Sequence, residues 1–415
     1  LGHGLEDYQL GWGLSFFGCG FPVRVEGRLR LRAFNRNERK GHRYECKEIS
    51  AIILSAEIMS LAAQNDSLGA AGTPPQRVEA RADFGDVPGE FQALVSSCGV
   101  YDLGSRTKIS LTGGDRVRWL NGMVTNNIRD LAPGRGVYAF LLNPQGHILG
   151  DLYAYNRGES LLVDTDQSQA GKMTAVFDKY IIMDDVEVSD PSDKLAAIGV
   201  AGPGAAECLR RSGIDVPELG SLQLVDLTWR RMSATLARGD NPLVDSFELW
   251  IAAENHGAAY ESLVRAGAKS IGTAAVELLR VAAGIPRYGL DIRERDLPQE
   301  TEQKRALNFV KGCYVGQEIV ERIRSRGQVR RKFTGFDVQG VLPVPGCKIQ
   351  VDGKDVGEIT SAATLPLTGG VGNGDHRVAL GYIRREVAMP GKLLDAGGSA
   401  ATVASLPFEF LSKQR

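Results

Sequence analysis

The chain has 415 residues, 43% of them apolar and 24% charged, and a formal net charge of -1. That length exceeds what one hydrophobic core organises, so two or three domains are expected, and the charge balance excludes a partner held by overall basicity. No apolar run approaches the roughly 18 residues of a membrane helix, because the best stretch, Ile49 to Ala63, is broken by Ser and Glu.

In chain order, the stretch from Leu1 to Lys47 has neither helical nor alternating periodicity, and the first methionine is Met59. The expectation is a physiological start near Met59, followed by a flexible lead-in, so that residues 1–86 form an extension outside the folded body. From Lys108 to Leu111 the pattern alternates as a strand, and Thr112-Gly113-Gly114-Asp115 leads into a helix from Arg116 to Asn121. Gly136 to Leu142 and His147 to Tyr155 read as a hairpin around the turn Asn143-Pro144-Gln145-Gly146. A helix is expected over Gln169 to Tyr180, strands over Val186 to Val188 and Leu195 to Val200, and a helix over Gly204 to Ser212. Phe247 to Ala252 then reads as a strand, with helices over Ala258 to Ala266 and Ala274 to Ala283. After Lys332 short alternating strands punctuated by glycine point to a small β-barrel. The fold class is therefore α+β, with domains at 87–332 and 333–412.

Six cysteines, Cys19, Cys46, Cys98, Cys208, Cys313 and Cys347, are spread along the chain without a C-x-x-C pair, which points to a reducing compartment, the cytoplasm, and to no metal site. The most informative cysteine is Cys313, in Lys311-Gly312-Cys313-Tyr314-Val315-Gly316-Gln317-Glu318. Flanking glycines allow a tight exposed turn, and Lys311 would place a cation near the thiol and favour the thiolate. Arg322, Arg324, Arg326, Arg330, Arg331 and Lys332 follow. The first three would share one face of an extended strand. No aromatic residues interleave with them, so direct nucleic-acid binding is not expected, and carboxylates across a domain interface or on an acidic partner are the expected counter-charges.

The run from Lys311 to Glu318 resembles the signature of the YgfZ family of folate-binding proteins, relatives of the glycine-cleavage aminomethyltransferase. The segments AGIPRYGLDI at 283–292 and LPQET at 297–301, and the stretch 99–152, are similar to that family in order and spacing. The resemblance implies a folate-binding fold with ferredoxin-like subdomains and a carboxy-terminal barrel. It also implies tetrahydrofolate as cofactor and iron-sulfur enzymes or assembly proteins, including those of tRNA methylthiolation, as partners. Gly146-His147-Ile148-Leu149-Gly150-Asp151 aligns with the Gly-Gly-x-x-Asp-Asp strand of the transferases, with Gly150 replacing the first aspartate. By the same resemblance Asp151 faces the reduced folate, Tyr138 and Asp164 make neighbouring contacts, Glu248 clamps the pterin amino edge, and Arg287 lines the cavity. Cys313, assisted by Lys311, is the working thiol. The transferases' R-D-x-x-R-L-E-A-G is altered here to Val276-Glu277-Leu278-Leu279-Arg280-Val281-Ala282-Ala283-Gly284, which weakens the case for a complete transfer site. The alternative expectation is a tetrahydrofolate-dependent aminomethyltransferase or demethylase.

Overall fold

The computed structural model describes residues 80–367 and 374–408, all within the second of two compact units, Gly72–Arg415. The expected start near Met59, and Cys19 and Cys46, lie outside the described residues. Residues 80–86, read above as the end of a lead-in, are held in place. The carbonyls of Arg81 and Ala82 accept from the Thr273 and Ala274 amides at 2.9 Å, and Asp86 caps helix α1, Val87–Ser96, by accepting from the Gly89 amide at 3.0 Å.

Two sheets and a barrel make up the structure. The first sheet has five strands, β2 Arg106–Thr112, β3 Arg135–Leu142, β4 Ile148–Asn156, β5 Leu161–Asp166 and β6 Glu187–Ser189, in the order β3-β4-β5-β2-β6. The β3–β4 hairpin turns at Asn143 to Gly146, where Gly146 takes φ +75°. Because side chains alternate along a strand, β3 has two apolar faces. Ala139 and Leu141 pack with Trp119 and Leu120 of α2, Arg116–Met123, and with Met173 and Phe177 of α3, Gln167–Tyr180. Tyr138, Phe140 and Leu142 face the other way, toward Tyr288 and Ile292. That second face is the one that builds the site.

The second sheet has the order β11-β1-β7-β10-β9-β8, with β1 Gly99–Asp102, β7 Leu195–Ala201, β8 Leu224–Trp229, β9 Met232–Arg238, β10 Ser246–Ala252 and β11 Lys269–Ser270. Cys208 and Leu209 of α4, Ala205–Arg211, and Ala259 and Leu263 of α5, His256–Arg265, cover one face of it. The inner faces of the two sheets meet at Tyr155, Leu162, Ala197 and Trp250, with Tyr155 and Trp250 edge-to-face at 5.1 Å.

The carboxy-terminal part closes into a six-stranded barrel of β12 Arg331–Gln339, β13 Lys348–Val351, β14 Lys354–Leu367, β15 Gly374–Arg384, β16 Leu393–Ala396 and β17 Ser399–Ala404, in the order β12-β15-β14-β13-β16-β17. Helix α6, Thr273–Ala282, and α1 pack between the second sheet and the barrel strands β14, Lys354–Leu367, and β15, Gly374–Arg384, around Phe91, Leu279 and Leu365. The α+β expectation with a terminal barrel is therefore met. One element differs in kind: Arg322 and Arg324 lie on a helix, α7, Gln317–Arg326, and not on a strand. Ile319, Val320 and Ile323 recur at helical spacing, Val320 is fully buried, and Gly316 at φ +82° turns the chain into the helix. Arg322 and Arg324 are both exposed on it but point about 200° apart around its axis, so they do not share the one face a strand would give them. Among the described residues no helix is long and apolar enough to cross a membrane.

Candidate functional site

A cavity of about 590 Å³ opens between β3, β4, α6 and the 285–288 turn, within the range that holds a small-molecule ligand. Tyr101, Tyr138, Tyr153 and Tyr288 supply aromatic faces, and Asp151, Gln169, Arg106, Arg287 and Arg305 supply polar ones.

Asp151 is braced from two elements. The Tyr138 hydroxyl donates to Oδ2 at 2.7 Å, and Gln169 Nε2 from the first turn of α3 donates to Oδ1 at 2.8 Å. Gln169 Oε1 in turn accepts from the Asp151 amide at 2.9 Å, so the glutamine clamps both backbone and carboxylate. Burial first, and then the charge of Asp151, raise the Tyr138 pKa well above its ordinary 10, so the phenol stays a donor. The Arg305 guanidinium lies 4.4 Å from the Tyr138 ring centroid and pairs with Asp240, which also accepts from Tyr153 at 3.1 Å.

The opposite wall carries a second network. Arg280 donates to Glu277 at 2.7 and 2.9 Å, and to Asp291 Oδ2 at 2.6 Å. Asp291 is fully buried. Its carboxylate also accepts from the Arg287 amide at 3.0 Å, and from the hydroxyls of Thr360 at 2.5 Å and Ser361 at 2.7 Å on β14. Arg287, half exposed, meets Glu277 at 3.3 Å.

The site residues expected from the sequence are thus divided. Tyr138, Asp151 and Arg287 line one cavity. Asp164 and Glu248 are not among its lining residues; they meet Arg106 and Lys108 in a charge cluster. Asp164 accepts from Arg106 at 2.9 Å and pairs with Lys108 at 3.1 Å, while Glu248 accepts from Trp250 Nε1 at 2.7 Å and lies 3.5 Å from Lys108. Asp164 holds Arg106, which lines the cavity, and both acids meet Lys108. Their strand partners explain this: Lys108 is opposite Asp164 across the β2–β5 ladder, so the pair closes on itself.

Cys313 and Lys311 are absent from the cavity lining, and their own relation is not the expected one. Cys313 is exposed. Lys311 is buried, and its ammonium donates to the carbonyls of Asn121 at 2.5 Å, Val124 at 2.6 Å and Asn126 at 2.8 Å. All three donors are spent on the backbone of the last turn of α2 and the residues just after it, so the lysine braces that backbone instead of serving the thiol. Burial, with Arg129 adding like-charge repulsion, pushes its pKa down to about 7, and the three carbonyl dipoles pull the other way. Of the two flanking glycines only Gly316 has a positive φ; a Cβ there would meet the Asn143 carbonyl oxygen at 2.5 Å. Gln169, Arg305 and Arg106 were not picked out from the sequence. Gln169 alone carried a local signal, its place in the first turn of a helix after Asp166.

The chain is similar in sequence and fold to known proteins. The family described as GCVT N-terminal domain matches residues 62–311, and the chain belongs to that family. Aminomethyltransferase of Rubrobacter xylanophilus is 28% identical over 312 residues, covering 74% of this chain and 82% of the relative. Aminomethyltransferase of a Nostoc species is 27% identical over 346 residues, covering 80% and 89%. The crystal structure of the glycine cleavage system aminomethyltransferase T from Bartonella henselae superposes with a TM-score of 0.69 at 23% identity, over 78% of this chain and 89% of that one, a likeness of fold.

Proposed function

We propose that this member of the family is a tetrahydrofolate-binding protein of the YgfZ type, an accessory to assembly or repair of iron-sulfur clusters in partner enzymes, including those of tRNA methylthiolation. One observation carries the reading. The braced acid and the exposed thiol are separate features: Asp151 belongs to a concave aromatic cavity, and Cys313 stands on a loop outside it. A transfer reaction confined to the cavity has no use for that thiol, whereas an accessory that meets another protein has. The folate-binding body would reach back from 332 past 87 to the segment at 80–86, where Arg81 and Phe84 line the cavity, the barrel domain would be 333–412, and the free thiols Cys98, Cys208 and Cys313 suit a reducing cytoplasm.

The cavity residues suit a pterin with a carboxylate tail. The tyrosines offer flat apolar faces, Asp151 accepts hydrogen bonds from ring or amine N–H groups, and Arg287 offers charge to a tail carboxylate. Bound tetrahydrofolate would supply amine nitrogens able to carry a one-carbon unit. Tyr138 and Gln169 fix the carboxylate of Asp151, which can then hold or receive a proton at such an amine. Cys313 can offer one thiolate ligand or one nucleophile; the remaining ligands of any cluster would come from the partner or a small thiol.

Aminomethyl transfer is the second reading, favoured by the cavity position of Asp151 and by the names of the relatives. The test is the methylthio-adenosine content of tRNA in a bacterial strain lacking its own family member, complemented with the parent or with Cys313→Ala. Restoration by the parent alone, with folate affinity equal in both, supports the accessory reading. No restoration by a folded parent that moves a one-carbon unit from a methylamine donor, with that transfer lost in Asp151→Asn, replaces it with the transferase.

A further inference from the structure

A groove of about 420 Å³ lies where the 298–309 segment, the last turn of α7 and the end of the barrel meet, and it continues through Gln328, Val329 and Arg385 into an open shelf at Arg330 and Arg384. None of its residues lines the cavity around Asp151. Its floor is apolar, built from Leu307, Phe309, Ile323 and Val329, and its rim carries Lys304, Arg324, Arg330, Lys332, Arg384 and Arg385. Two carboxylates, Glu302 and Glu386, face these six cations.

The rim charges are crowded by the fold itself. Arg331 and Arg384 are directly opposite on paired strands, and the Arg385 amide donates to the Arg330 carbonyl at 2.9 Å. Like charges in such positions repel. Arg331 is relieved by Asp296 at 2.6 Å and Glu300 at 2.9 Å, and Arg324 by Glu321 at 3.5 Å. Among the described residues Lys304, Arg330, Lys332, Arg384 and Arg385 have no carboxylate within ion-pair distance. In a chain of net charge -1 this is a local excess, not a general basicity.

We infer that this groove docks an acidic, amphipathic segment of a partner protein. Both halves of the surface are then used: aliphatic side chains of the segment cover the floor, and its carboxylates meet the rim. Nucleic acid matches only the rim, because the one aromatic ring of the floor, Phe309, is already covered by Arg324 at 4.5 Å and offers no stacking platform. This inference rests on the accessory reading for its partner. Arg324 donates to the Phe309 carbonyl at 3.3 Å, tying the groove to the loop that exposes Val310 and, four residues past Phe309, Cys313. A docked segment would lie about 15 Å, the length of the ten-residue α7, from the turn that carries the thiol.

The test uses the full chain and three labelled probes followed by fluorescence anisotropy. They are a helical peptide of about 14 residues with Glu and Leu on opposite faces, its Lys-for-Glu counterpart, and a single-stranded RNA of about 16 nucleotides. The acidic peptide should bind, weaken as salt rises, and lose about tenfold or more with Arg330→Glu/Arg385→Glu. The milder Arg384→Gln/Arg385→Gln should lose less, with melting temperature and folate affinity equal to the parent in both. Equal binding of the acidic peptide by parent and charge-reversed variant overturns the inference, as does tighter binding of the RNA that the same variant abolishes. Peptide binding that obeys these expectations in a chain that fails the tRNA complementation leaves the groove standing and removes only the accessory reading.

Discussion

Asp151 and Cys313 are held by opposite strategies. The acid is gripped at its own oxygens by Tyr138 and Gln169, inside a cavity with aromatic walls. The thiol is left to solvent, and the grip is applied two residues away, where Lys311 is sunk into the backbone at the end of α2 and just beyond it. A group that must meet a small ligand gains from a locked rotamer. A group that must meet a macromolecule gains from a firm loop and a free side chain. The contrast also separates loss of fold from loss of chemistry, since the stabilising contacts of the loop are not those of the thiol.

The largest expected effect breaks the loop. Lys311→Met strands two buried carbonyls and one part-buried one, and urea unfolding should report a loss of about 3–5 kcal/mol. Asp151→Asn comes next: it should lower folate affinity about ten- to a hundredfold, measured by titration calorimetry, with the urea midpoint little changed. Cys313→Ala should leave both quantities at parent values and abolish the tRNA complementation, which is the sharpest statement of the contrast. Tyr138→Phe removes one of the two donors to Asp151 and should weaken folate binding by about 1 kcal/mol, roughly fivefold.

The smallest effect lies on the barrel. Burial opposes ionisation of Glu358, but hydrogen bonds from Lys348 and Arg293, both at 2.8 Å, outweigh it and hold the carboxyl at about 2, below its ordinary 4.5. A depressed folded pKa adds stability above the ordinary value that is lost as pH falls toward the folded one. Between pH 4.5 and about 2 the parent should lose stability more steeply than Glu358→Gln in a chemical-denaturation series, by a modest amount because the group is partly solvated.

The fold was legible wherever local chemistry dictates it. The β3–β4 hairpin follows from Asn143 to Gly146, and the barrel from short glycine-punctuated strands. Helix α7 was missed because three alternating arginines outweighed the spacing of Ile319, Val320 and Ile323. Of the site, Tyr138, Asp151 and Arg287 could be found through resemblance, and the structure gathers them. The direction of Lys311 could not, since its acceptors lie some 190 positions earlier in the chain. Nor could the meeting of Lys108 with Glu248, which depends on how two sheets face each other.

The buried carboxylate of Asp291 works as a tie-rod. Through one side chain it fastens a cavity wall, at Arg280 and Arg287, to the barrel, at Thr360 and Ser361. Anything that stiffens that wall tightens the barrel's seating at the same stroke, so the two parts share one rigidity, and cavity occupancy becomes readable as slower amide exchange on β14.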